Sequence, residues 1–267
     1  MKKSMAVLSM LLVCLWSINT LGDEPIPVKD EPWTIPGVGM QFVYIASGAF
    51  QMGSNDGSAD EKPVHAVTIS KGYWIGKYEV TQDEYQAIIG SNPSNSRGGK
   101  KPVQNVRWND AVSFCQKLSE RERAAGRLPS GYEYQLPTEA QWEFAARGGT
   151  ASKSYIYSGG DNLDSVGWYE PNSSSVTHEV GTKSPNEQGI HDMSGNVWEW
   201  CNDWKGEYSG DRVVDPAGPT SGSDRVRRGG CWRNIPAYCR VAGRYGSSPG
   251  SGGARLGFRV VLAPSAK

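Results

Sequence analysis

Histidine is scarce in this chain, and an excess of charge of either sign is missing. Only three histidines occur in 267 residues, His65, His178 and His191. None is spaced from another as zinc ligands are, so metallohydrolase chemistry has no donor set. Lys+Arg and Asp+Glu balance at 28 each. Without a basic face or an acidic tail, generic nucleic-acid binding loses its electrostatic basis. There is no G-x-S-x-G elbow, and "GAFQMGS" lacks the lysine of a phosphate loop, so serine-hydrolase and nucleotide-binding templates fall away. Internal repeats are absent, and after residue 22 no apolar run is long enough to cross a membrane.

What is present is glycine (33), tryptophan (ten) and tyrosine (twelve). That composition and length suit one loop-rich domain of short elements with many aromatic anchors. The first 22 residues read as an export signal: "MKK" is a basic start, "AVLSMLLVCLWSI" an apolar core, and Thr20 and Gly22 precede a cleavage point at Asp23. A competing reading takes "LLVC" as a loose lipidation box, with Cys14 as the one membrane anchor; either way the chain leaves the cytoplasm for the periplasm or cell surface. Export puts Cys115, Cys201, Cys231 and Cys239 where disulfides persist, and sequence does not choose among their three pairings.

Residues 23–40 are rich in proline and charge and read as an extended lead-in to a domain over 41–264. "QFVYIASGAFQMGS" alternates as a hairpin or edge strand, and "VHAVTISKGYWIGKYEV" alternates again. Thr81 and Glu84 form a capping box that opens a helix ending near Gly90. A second helix carries Ala111, Phe114, Cys115 and Leu118 on its apolar face. A third begins at the Thr138/Gln141 box, turns Trp142 and Ala145 inward and stops at Gly148. From Gly149 onward, loops and short strands lead to a final strand in "LGFRVVL". The class is α+β with much coil.

In order, "GAFQMGS", "YEVTQDEY", "PVQNVRWNDAVSFC", "LPTEAQWEFAARGG", "GIHDMSGNVWEW", "RRGGCW" and "LGFRVV" resemble the formylglycine-generating enzyme, or sulfatase-modifying factor, family. The resemblance runs from about Gln41 to Leu262 and implies a variant of the C-type lectin fold with little regular structure. It implies copper-dependent oxidation of a sulfatase cysteine to formylglycine, the metal being held by two cysteines five residues apart. Here the second stands in "YCR" as Cys239, between Tyr238 and Arg240, which would shape the pocket, but the partner position is Asn234. Cys231 lies eight residues from Cys239, out of register. Cuprous copper wants two soft thiolates, and an amide oxygen is a hard substitute, so no copper site is expected. The resemblance also implies calcium in "DMSGNVWEW", through Asp192, the carbonyls of Gly195 and Val197, and Glu199; a hard ion taking six to eight oxygens suits such a set. A cation-free turn with Glu199 hydrogen-bonded is the other reading.

From Cys231 to Ala266 there is no Lys, Glu, Gln or Met, although these make up about one residue in six of the chain. One subgroup of the family, the variable proteins of diversity-generating retroelements, mutates AAC codons to NNC, which cannot encode those four. This segment resembles such a product, with a variable region at 231–259. The display positions would be Cys231, Arg233, Asn234, Ile235, Tyr238, Val241, Gly243, Tyr245, Gly246 and Ser247. A short Gly/Ser-rich loop could also lack the four types by composition alone. Trp198, Trp200, Trp204 and Trp232 are expected to be frame.

The sequence therefore predicts an exported, non-catalytic binder of a protein or glycan ligand on this scaffold. The alternatives are a copper oxidase using Cys239 and a subunit of a surface complex.

Overall fold

The computed structural model describes residues 25–265, so the segment read as an export signal, and Cys14 within it, lie outside the described residues. The local signals set the helices. Helix α1 (Gln82–Ile89) begins where Thr81 Oγ1 accepts the Glu84 amide and Glu84 Oε2 accepts the Thr81 amide at 2.8 Å, and ends at Gly90 in the left-handed region (φ 87°). Helix α2 (Trp108–Ala124) buries Ala111, Phe114, Cys115 and Leu118 as its spacing requires. Helix α3 (Glu139–Ala146) starts at the Thr138/Gln141 box and buries seven of its eight residues, including Glu139 and Glu143. A single turn, α4, covers Leu163–Val166.

Among the described residues, twelve strands form three sheets. The five-stranded sheet runs β1 (Trp33–Thr34), β2 (Gln41–Ile45), β5 (Tyr73–Gly76), β12 (Val261–Pro264), β6 (Tyr132–Gln135). A second sheet runs β10 (Arg244–Ser247), β9 (Arg225–Arg228), β7 (Trp198–Trp204), β11 (Leu256–Gly257), and a third β3 (Gly48–Met52), β4 (His65–Ile69), β8 (Val213–Val214). The two alternating stretches that read as single units each divide between the first and third sheets: β2 and β5 pair in one, β3 and β4 in the other. The breaks fall at Ala46–Ser47 and Ser70–Gly72, where a Cβ on Gly72 would lie 2.0 Å from the Tyr44 hydroxyl. "LGFRVVL" is likewise two strands, β11 and β12, in different sheets.

The domain starts earlier than residue 41. Trp33 and Thr34 pair with Phe42 and Gln41, and Trp33, Ile35 and Met40 are buried. Trp33 Nε1 donates to the Tyr134 hydroxyl at 3.0 Å, so the proline-rich lead-in contributes side chains to the core.

One apolar cluster joins α1 and α2 to the first sheet, with Tyr85 and Phe114 stacked at 5.5 Å beside Phe258. A second gathers around Trp142 and Phe144 of α3. Each fully buried large side chain contributes about 1.5–3 kcal/mol. The fold also buries ion pairs: Arg228 meets Glu139 and Glu143, Arg244 grips Glu139, and Arg259 grips Glu199. The guanidiniums come from β9, β10 and the segment between β11 and β12.

A candidate recognition face on main-chain supports

The segment between β9 and β10 is the centre of the site. Gly229 and Gly230 open it with φ of 90° and 75°, which favour glycine. A Cβ on Gly230 would come within 2.7 Å of Cys239 Sγ and 2.9 Å of the Tyr238 carbonyl. Cys231 then starts a turn: Asn234 Oδ1 accepts both the Cys231 amide (3.0 Å) and its thiol (2.9 Å), and the Asn234 amide donates to Cys231 O. A short 3-10 turn follows at Pro236–Cys239.

Most of the frame's hydrogen bonds to this segment run to its backbone. The Gly195 amide donates to Gly229 O, the Trp232 amide to Asn196 O, the Glu170 amide to Asn234 O and the Val241 amide to Ile156 O, all within 2.8–3.0 Å. Ser173 Oγ donates to Trp232 O, and buried Arg228 donates to the carbonyls of Val241 (3.0 Å) and Gly243 (2.7 Å).

The ten display positions fall into three groups. Arg233 and Ile235 are exposed; Asn234, Tyr238, Tyr245, Gly246 and Ser247 are half-buried. Cys231, Val241 and Gly243 are buried, which corrects the expectation that they face a ligand. Cys231 packs into the core, Val241 joins the cluster beneath α3, and Gly243 turns under Arg240 O. Trp198 and Trp200 are buried frame as expected, whereas Trp204 and Trp232 are half-exposed.

All four described cysteines are free, buried thiols. Burial pushes Cys231 up to about 11 despite the nearby Arg255, Arg227 and Arg233, and pushes Cys239 higher still. Both are therefore protonated at neutral pH, whereas the nucleophile and the soft-metal ligand is the thiolate. Asn234, in place of the second ligand, has its carboxamide oxygen taken by Cys231. This donor set does not fit a cuprous ion. Arg240 is also committed, its guanidinium paired with Glu61.

The "DMSGNVWEW" loop packs behind this face. Asp192 (φ 60°) is buried, its Oδ2 accepting the Gly181 amide at 2.7 Å and its Oδ1 without a hydrogen-bond partner. Gly195 (φ 105°) and Asn196 (φ 55°) bend the chain. Glu199 is bidentate to Arg259 at 2.7 Å for each bond and also accepts Trp142 Nε1. A guanidinium thus occupies the carboxylate that the resemblance assigns to calcium, a correction for Glu199. A third carboxyl, Glu79, escaped sequence reasoning: it accepts the Asn196 side-chain amide at 2.6 Å and the Val197 amide at 3.0 Å. Burial pushes Glu79 well up and Asp192 up to about 6. Among the described residues no group of three or more His, Cys, Asp or Glu side chains is placed to hold a metal. Treatment with EDTA is expected to leave the thermal midpoint unchanged; a fall restored by calcium would return the loop to cation binding.

Arg227, Arg228, Arg255 and Arg259 were likewise not singled out as site residues. One signal could have flagged them: after Asp224 there are eight arginines and no carboxylate side chain, so partners must come from far upstream.

Comparison with known proteins agrees with this geometry. Residues 35–264 match the model of the sulfatase-modifying factor enzyme 1-like domain, and the chain belongs to that family. It has the formylglycine-generating-enzyme-type variant of the C-type lectin fold. It is 37% identical to variable protein 1 of Treponema denticola, with a TM-score of 0.79 over 89% of this chain and 100% of that one. PvdO of Pseudomonas aeruginosa superposes with a TM-score of 0.73 over 88% and 99% of the two chains, at 26% identity. Among curated relatives, the formylglycine-generating enzyme of Streptomyces coelicolor is 38% identical over 60% of this chain and 52% of its own length. The chaperone protein LppX of Paenibacillus barcinonensis is 33% identical over 72% and 78%.

Proposed function

We propose that this is an exported, non-catalytic ligand-binding protein that presents the 231–259 region as a recognition surface, diversified by a retroelement. The single observation that carries this reading is the main-chain grip on residues 229–243. A segment held through backbone atoms keeps its course while its exposed side chains change, the division of labour expected of binding loops on a rigid frame. The exposed and half-buried residues include Arg, Tyr, Trp, Asn, Gly and Ser, a vocabulary of adaptable recognition. The likeness to a variable protein, and the run of 36 residues without Lys, Glu, Gln or Met, support diversification. Copper oxidation of a substrate cysteine is disfavoured by Asn234 and by two buried, protonated thiols.

Two measurements test the reading. Purified protein given copper, dioxygen and a sulfatase-type cysteine peptide is expected to yield no formylglycine by mass spectrometry; turnover lost on Cys239→Ser would overturn the proposal. The coding gene is expected beside a reverse-transcriptase gene and a near-identical repeat of the 231–259 region. Absence of the repeat would remove diversification and leave the binding role.

A further inference from the structure

Eight arginines follow Asp224, and most are occupied. Arg228, Arg244 and Arg259 are buried against Glu139, Glu143 and Glu199, and Arg240 pairs with Glu61. Arg225 lies between the rings of Trp108 (3.8 Å) and Trp204 (3.6 Å) and donates to Asn202 O. Three remain. Among the described residues no carboxylate makes an ion pair with Arg227, Arg233 or Arg255, and Arg227 Nε is buried with no hydrogen-bond partner. Arg233 and Arg255 are exposed and Arg227 is half-buried.

The topology brings these three together. Arg227 on β9 stands opposite Tyr245 on β10, and its guanidinium lies 4.6 Å from the Trp198 ring on β7. The Trp198 amide donates to Arg255 O at 2.8 Å, which places Arg255 at the other flank of the same strand. Trp232 Nε1 donates to Ala254 O, tying the turn that carries Arg233 to the segment that carries Arg255. All three arginines are near enough to the Cys231 thiol to favour its anion. Tyr238 and Tyr245 lie 5.0 Å apart over Trp198 as an aromatic floor, and Ile235 at 50% exposure forms an apolar rim. Of the neighbouring carboxylates, Asp60 is taken by Lys205 and Glu61 by Arg240, while Asp224 acts on Arg227 without forming an ion pair.

Three guanidiniums gathered without an ion-paired carboxylate repel one another, and an anion seated among them relieves that repulsion while forming charge-assisted hydrogen bonds. Resting on the recognition role above, we infer that the Arg227–Arg233–Arg255 cluster with Tyr238 and Tyr245 binds an acidic, aromatic-bearing segment of a partner protein. A neutral sugar is a poor fit, because the stretch from Arg225 to Ser265 offers no carboxylate to accept its hydroxyls. A sulfated polysaccharide wants an extended basic track, whereas this chain carries no net charge and the cluster is compact and flanked by aromatics. Arg, Tyr and Trp around an apolar rim are the residues that dominate protein–protein hot spots.

Fluorescence anisotropy on the full chain tests this with a labelled glutamate–tyrosine copolymer, a matched lysine–tyrosine copolymer and heparin. The glutamate copolymer is expected to bind tightest, and more weakly as salt rises. Arg233→Gln and Arg255→Gln are each expected to weaken it about tenfold with an unchanged melting curve. Arg97→Gln, on the loop after α1 and outside the cluster, is expected to leave binding unchanged. Equal binding of heparin, equal loss in Arg97→Gln, or no binding of the glutamate copolymer would overturn the inference. Binding of the lysine copolymer that Tyr238→Ala removes would overturn only the charge preference and leave the recognition role standing. Formylglycine production would remove that role itself.

Discussion

Arg259→Met is expected to destabilise the fold by about 3–5 kcal/mol, seen as a lowered urea midpoint. Arg259 and Glu199 are both fully buried, and the guanidinium also donates to Gly76 O (2.8 Å) and His191 O (2.9 Å). Methionine fills much of the volume and provides no donor. Glu199 would keep only the Trp142 indole, with buried Glu79 and Asp192 nearby and no cation to offset them. Adding Glu199→Gln to Arg259→Met is expected to recover part of the loss, because it removes the stranded charge. A single variant that melts like the wild type would mean that another cation holds the three carboxyls, and its melting would then depend on calcium.

Gly195→Ala is expected to abolish soluble, folded protein. Its φ of 105° lies where L side chains are strained, which alone costs about 1–3 kcal/mol. The added Cβ would sit 2.2 Å from the Trp168 carbonyl and 2.9 Å from two further Trp168 backbone atoms, so the chain itself must move. That shift would break the Gly195 amide bond to Gly229 O and release the start of the 229–243 segment. Gly189→Ala is the control: φ is 80°, nothing lies within 4 Å of the new Cβ, and a loss of only about 1 kcal/mol is expected. Circular dichroism melts of the two variants separate strain from clash. Similar melting would show that the Trp168 contact relaxes freely.

Elements whose causes lie within a few residues were legible. The capping boxes at Thr81/Glu84 and Thr138/Gln141 set two helix starts, and the spacing of Ala111, Phe114, Cys115 and Leu118 set the buried face of α2. The ordered motifs carried the family and hence the fold. Contacts made at long range were not legible. Nothing near Glu199 tells that an arginine 60 positions later will take its oxygens, or that Glu79 will reach the Val197 amide across 118 positions. The same limit explains the display set. Ordinary variation in a loop looks alike whether a side chain points out, as at Arg233 and Ile235, or in, as at Cys231 and Val241. Alternation in "VHAVTISKGYWIGKYEV" named strands correctly but did not show that the chain changes sheets at its middle.

The position of β12 has a consequence for synthesis. Its residues 261–264 fill the gap between β5 and β6, so the largest sheet stays open until the chain has been made past residue 260. A premature stop or a shifted reading frame arising anywhere from 231 to 259 would leave β5 and β6 unjoined. Such a product would fail as a fold, because the sheet that carries β5 and β6 closes only with the last strand.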